Sequence, residues 1–170
     1  VFPAALFTDD EKRACRQALA QTNIAQPAMG TASVALLHLL RDFGVVPDLV
    51  AGHSYGEYVA LYAAGVISQD DLIALSEARG RFIIETSGTE QGTMAAVHAD
   101  ARRVRELLRQ SPEVTLANLN APGQTVISGT QQAVAAAMQH LKKCGIQAQR
   151  LRVSCAFHSP LVAPAAEKLA

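Results

Sequence analysis

Val50-Ala51-Gly52-His53-Ser54-Tyr55-Gly56-Glu57 is a short apolar run that breaks into Gly-x-Ser-x-Gly and continues as a helical pattern. Glycines two positions either side of a serine let the backbone turn sharply from strand to helix and lift the hydroxyl of Ser54 clear of both elements. The turn also puts Ser54 at a helix N-terminus, where unpaired N–H groups and the helix dipole stabilise an oxyanion. The N–H of Tyr55 is the natural donor. The bare pattern arises by chance in roughly 1 in 20 chains of this length, so its context has to carry the reading. Leu49-Val50-Ala51 reads as a buried strand end, and residues 57–64 read as a helix packed on its Val59, Ala60 and Ala63 side. A glycine-rich strand-to-helix turn without chemistry is the plain alternative.

Upstream, Val45 to Ala51 is expected to be the strand that feeds the turn. Before it, Val34, Leu36, Leu37, Leu39, Leu40 and Phe43 predict a long, largely buried helix over 28–43, stopped by Gly44. Asn23 to Pro27 reads as a break, with Pro27 at a first helical turn. Gln26 would then be a loop residue, either at a site mouth or satisfying local backbone. Thr8-Asp9-Asp10-Glu11 has the capping-box pattern and opens a helix over Lys12 to Ala20.

Downstream, Ser68 caps a helix from about Asp71 to Thr86, with Leu72, Leu75, Ala78, Phe82 and Ile83 on one face. Residues 87–92 form a polar linker. A different rhythm follows: a strand over 93–99, a helix over 100–110, a strand over 114–120 and a Pro122-Gly123 turn. The return strand over 124–128, a helix over 130–144 stopped by Gly145 and a strand over 146–153 complete it. The order β-α-β-β-α-β is that of the ferredoxin-like split βαβ unit. The tail Ser154-Cys-Ala-Phe-His-Ser-Pro160 leads into a helix from Leu161 to Ala170.

Composition narrows the function classes. The 170 residues are 49% hydrophobic and 18% charged, with 15 basic and 15 acidic side chains, as expected for a globular domain with a sizeable core. Zero net charge gives no general reason to expect a nucleic-acid partner. No apolar run approaches the ~20 residues that span a bilayer. Cys15, Cys144 and Cys155 lack metal-ligand or Cys-x-x-Cys spacing, so no metal site is expected and a reduced, cytoplasmic setting is the simplest reading. The first residue is not Met and the last falls within a helical pattern, so the chain reads as a piece of something longer.

A serine hydroxyl needs a base to act as a nucleophile at neutral pH. His53 adjoins Ser54 and should point away from it. His158, 104 residues further on, ends a strand where the chain returns from the inserted unit, and is the better candidate. Asp100, Glu106 and Glu113 are the acids a Ser-Asp-His hydrolase would draw on, but all lie in the inserted unit. A Ser-His dyad without a close carboxylate is therefore expected. Arg79, on an otherwise apolar helix face, suits either a substrate carboxylate or a structural ion pair. Arg81 should face solvent.

Gly52-His-Ser-Tyr-Gly-Glu57, Ala78-Arg-Gly-Arg81, Asn118 to Gly129 and Ala156-Phe-His-Ser159 together resemble the malonyl-CoA:acyl-carrier-protein transacylase family. They resemble most the acyltransferase domains of polyketide and polyunsaturated fatty acid synthases, and Tyr55 resembles the iterative enediyne and polyunsaturated types. The resemblance covers essentially the whole chain in order. It implies an α/β fold: a hydrolase-like core with a parallel sheet and nucleophile elbow (1–86 and 151–170) and an inserted ferredoxin-like subdomain (87–150). The family's N- and C-terminal parts, including the glutamine-bearing segment that supplies the second oxyanion contact, have no counterpart in the 170 residues.

By the same resemblance, Ser54 accepts the acyl group, His158 is its base, Tyr55 N–H is an oxyanion donor and Arg79 clamps the malonyl carboxylate. Gln26 matches a glutamine near the site. Phe157 fills the space that an α-methyl group would need, although Cys155 stands where that motif often begins with His. The implied substrate is malonyl-CoA, with no bound cofactor. The implied partners are an acyl carrier protein, through its phosphopantetheine thiol, and neighbouring synthase domains such as a ketosynthase. A serine esterase or thioesterase, and a non-catalytic docking domain of a megasynthase, are the rival expectations.

Overall fold

Thr8 begins the first helix as the capping box requires: its hydroxyl accepts from Glu11 N–H while the Glu11 carboxylate reaches back to the N–H of Thr8. The computed structural model describes residues 4–88 and 90–169, so Thr89 of the expected polar linker and Ala170 of the expected tail helix lie outside the described residues. By contacts the chain forms two units, Val1–Phe82 with Leu169, and Ile83–Lys168 with Ala170.

The first unit is helical: α1 Asp9–Leu19, α2 Thr22–Asp42, α3 Gly56–Ala63 and the greater part of α4, Gln69–Thr86. Helix α2 starts six residues earlier than its apolar periodicity indicates and carries Pro27 in its interior. Proline there removes one backbone bond at a cost of about 3 kcal/mol. Packing against α4 outweighs that local signal, because the buried residues of α2 are Thr22, Gln26, Gly30 and Val34, a stripe spaced by four that begins before the proline. Conversely, Leu36, Leu39, Leu40 and Phe43, read as core, are exposed.

The crossing of the two helices depends on Gly80. A Cβ built there would meet Asn23 Cα at 2.5 Å and Thr22 O at 2.7 Å. Alanine improves helix propensity by about 1 kcal/mol, but overpacking against backbone costs about 1–3 kcal/mol. Gly80→Ala is therefore expected to lower stability by about 1 kcal/mol or more in urea unfolding.

Residues 45–51 do not form the expected strand; they run as irregular chain that bends at Asp48 and Leu49, with Val46 74% and Leu49 91% exposed. A strand exists only as one side of a hydrogen-bonded ladder, and no described residue pairs with this run. Leu49, Val50 and Ala51 instead line an open groove of about 470 Å³ together with Ser33, Leu37, Val59 and Ala63.

The second unit holds β1 Thr93–Val97, α5 Ala101–Leu107, β2 Val114–Ala121, β3 Gln124–Gly129, α6 Gln131–Lys143 and β4 Ala148–Arg150. The sheet order is β2-β3-β1-β4, with every pairing antiparallel. Asp100 and Thr130 cap the helices through their side chains, and Gly145 adopts a positive φ of 76° just beyond α6. Ala95, Val97, Val104, Ile127, Val134 and Leu141 form the core between helices and sheet. Strand β4 is shorter than the expected 146–153 run, though Leu151 N–H still reaches Met94 O at 2.9 Å. The tail forms a 3-10 turn at Pro160–Val162 and then α7, Pro164–Leu169, rather than one helix. Ala156 N–H donates to Gln91 O at 2.7 Å, fixing the segment before His158 to the start of the sheet.

Candidate active site

The turn predicted around Ser54 is present. Ser54 has φ +54°, the left-handed region that a non-glycine residue enters at a cost of about 1–3 kcal/mol. Gly52 makes the turn possible, since a Cβ there would strike the backbone of Gly56 and Glu57. Gly56 is not under the same constraint: a Cβ on it would meet no atom within 4 Å. The N–H groups of Gly56, Glu57 and Tyr58 donate to the carbonyls of His53, Ser54 and Tyr55 at 3.0–3.1 Å. The Tyr55 N–H has no acceptor among the described residues, which leaves it available beside Ser54.

The side chain of Tyr55 is a feature that the sequence reading missed. It is 8% exposed, whereas α3, which it precedes, has no buried residue. Its hydroxyl lies 2.7 Å from Ser76 Oγ on α4, and Ser76 in turn donates to Leu72 O. The one hydroxyl proton of Ser76 is thereby used, so Tyr55 is the donor in their mutual bond. The ring end fits against Gly30 of α2, where a Cβ would collide with the hydroxyl.

Burial pushes the Tyr55 phenol above its ordinary pKa of 10.0; the Ser76 bond, the Arg79 charge and the Gly30 backbone oppose the rise only in part. A raised folded-state pKa gives stability that is complete below pH 10 and lost as the pH climbs through the folded value. Tyr55→Phe is expected to remove that alkaline loss, read as a flatter midpoint-against-pH curve above pH 10.

Gln26 and Arg79, separated by 53 residues, meet: Arg79 Nη1 donates to Gln26 Oε1 at 2.7 Å. Gln26 is 2% exposed and sits within α2, not in a loop, and its carbonyl serves Arg79 and not local backbone. Its Nε2 is buried without a partner. The Arg79 guanidinium also lies 5.8 Å from the centroid of the Tyr58 ring, which stacks on Tyr55 at 6.0 Å and 17°. No carboxylate pairs with Arg79 among the described residues. Arg81, by contrast, is exposed and bonds Glu77 at 3.1 Å.

His158 also has a positive φ, +58°, and is exposed, with Phe157 half-buried beside it. Ser159 then caps the 3-10 turn and donates to Ala156 O at 2.7 Å, so the loop on both sides of His158 is tied down. The three candidate acids have other surroundings. Asp100 caps α5 through Arg103 N–H, Glu106 pairs with Arg102 and Arg103, and Glu113 is exposed. No group of three or more metal-ligating side chains occurs among the described residues, and no described helix is long and apolar enough to cross a membrane.

The malonyl CoA-acyl carrier protein transacylase of Bacillus subtilis (strain 168) is 45% identical over 157 residues, covering 89% of this chain and 50% of that protein. The acyltransferase domain from the second module of the salinomycin polyketide synthase superposes with a TM-score of 0.83 at 40% identity, over 90% of this chain and 36% of that one. The acyltransferase domain of an iterative polyketide synthase of enediyne biosynthesis gives a TM-score of 0.81 at 37% identity, over 88% of this chain and 40% of that one. The chain thus spans half or less of each of these three proteins, and its fold is the α/β acyltransferase fold. A family model described as acyl transferase domain matches residues 8–170, and with the Gly52–Gly56 turn in place the chain belongs to the acyl transferase domain family.

Proposed function

We propose that this chain carries the catalytic residues of an acyltransferase that moves a malonyl unit from malonyl-CoA to Ser54. From there the unit passes to the phosphopantetheine thiol of an acyl carrier protein, for fatty acid or polyketide assembly in the cytoplasm, beside synthase domains such as a ketosynthase. The observation that carries the reading is Arg79: a half-buried cation whose described partners, the Gln26 carbonyl and the Tyr58 ring, are neutral. A charge held this way is complementary to a carboxylate brought by a ligand. The orphan Gln26 Nε2 adds a buried donor next to it.

In the proposed reaction Ser54 Oγ attacks the thioester carbonyl as His158 takes the hydroxyl proton. The developing oxyanion faces the Tyr55 N–H, the C–S bond breaks, and CoA leaves as the thiol with that proton. The carrier thiol then gives a proton to His158, attacks the Ser54 ester and regenerates the hydroxyl. The cycle is ping-pong, and no cofactor takes part. Phe157 crowds the malonyl α-carbon against a branched extender.

The supporting architecture is a discontinuous hydrolase-like core, 1–86 and 151–170, with 87–150 inserted as a ferredoxin-like subdomain. Sequence outside these 170 residues would pair with the exposed 45–51 run and complete a parallel sheet. The esterase alternative draws no support from Asp100, whose carboxylate already caps a helix. A chase experiment tests the choice: carrier protein added to the malonylated full chain should receive the malonyl group faster than water does. Release as free malonate with the carrier thiol untouched points to the esterase.

A further inference from the structure

The mechanism above uses the backbone of Tyr55 and leaves its side chain unexplained. Three observations converge on that side chain. Ser54 is held in a left-handed conformation that relaxes unless its neighbours prevent it. Helix α3, which follows, packs on α2 with half-buried residues only, so Tyr55 is the one fully buried side chain at its start. Tyr55 is buried, and its phenol ends on Ser76 Oγ, 21 residues away on α4, in a notch that Gly30 leaves open.

We propose that Ser76 is a positioning residue of the acyl transfer: it fixes the Tyr55 side chain and, through it, the backbone N–H and the strained Ser54 beside it. The inference rests on the acyltransferase reading of Ser54. Ser76 touches no reacting atom. Its own hydroxyl is oriented by Leu72 O, so the acceptor lone pair aimed at Tyr55 is preset rather than chosen on binding. The phenol stays neutral because burial disfavours its charged form, and it remains a donor throughout the working pH range. Tyr58 stacks on the anchored Tyr55 ring and lies beneath Arg79, so the same anchor steadies the cation. Losing it should slow chemistry, which needs the N–H and hydroxyl aligned, more than it weakens binding.

The test is a double-mutant cycle of Ser76→Ala and Tyr55→Phe in the full chain, read as the single-turnover rate of malonyl-Ser54 formation, the malonyl-CoA concentration for half-maximal rate, and the thermal midpoint. Ser76→Ala leaves a buried phenol unsatisfied, so it lowers the midpoint. In the double variant both polar partners are gone and the midpoint recovers. Positioning predicts that the rate falls about five- to fiftyfold in either single variant and stays equally low in the double, with the half-maximal concentration within about twofold of the parent. A rate that is unchanged, or that recovers with the midpoint in the double variant, overturns the proposal. If the unaltered chain forms no malonyl-Ser54 adduct, the acyltransferase reading itself fails and the inference with it; that outcome is distinct because it appears before any substitution is made.

Discussion

Exchanging Ser54 for alanine is expected to abolish the covalent malonyl-enzyme and to lower transfer on the order of 10⁶-fold, the scale of losing a nucleophile that acts in concert with its base. Tyr55 cannot take its place, because its hydroxyl points away into the notch at Ser76. Ser54→Gly separates chemistry from strain. Both variants lack the hydroxyl, but glycine enters the left-handed region without the side-chain penalty of about 1–2 kcal/mol. The glycine variant should be as inactive as the alanine variant and more stable than the parent in urea unfolding. That combination, stability gained where activity is lost, marks a residue whose strain is kept for function.

The second large effect falls on selectivity. Arg79→Ala removes the cation held between Gln26 and Tyr58. Hydrogen bonds to a charged group contribute about 1.5–3 kcal/mol each, so kcat/KM for malonyl-CoA should fall about 100-fold. Acetyl-CoA has no carboxylate to lose and should be nearly unaffected, so the preference between the two thioesters narrows or inverts. Arg79→Lys keeps the charge without the planar fork, and recovery should be incomplete. A parallel fall with both thioesters would mean that Arg79 supports the fold rather than the substrate.

Much of the small sheet unit is legible in the sequence because its signals are local. Asp100 and Thr130 announce helix starts, Gly145 a stop, and Pro122-Gly123 a hairpin, and the observed elements follow within a few residues. The turn at Ser54 is legible for the same reason, since a glycine at position 52 is a backbone requirement. What depends on distant partners is not. The 45–51 run looks like a strand but a strand is made by its neighbour. The start of α2 is hidden by Pro27, whose local cost is outweighed by packing of Thr22 and Gln26 on α4. Gln26 is named as a site residue by resemblance, yet its partner could not be read from a sequence separation of 53. Ser76 leaves one faint trace: a polar residue between Leu72 and Gly80 on the buried stripe of α4.

The most direct measurement is brief mixing of the full chain with malonyl-CoA, followed by proteolysis and mass spectrometry of the peptide that contains Ser54. The expected result is a malonyl-sized increment located on Ser54, formed faster than the acetyl increment from acetyl-CoA. An unmodified Ser54 peptide while the malonyl group appears elsewhere on the chain, or no covalent increment at all, would contradict the assignment of Ser54 as the acyl carrier of this reaction.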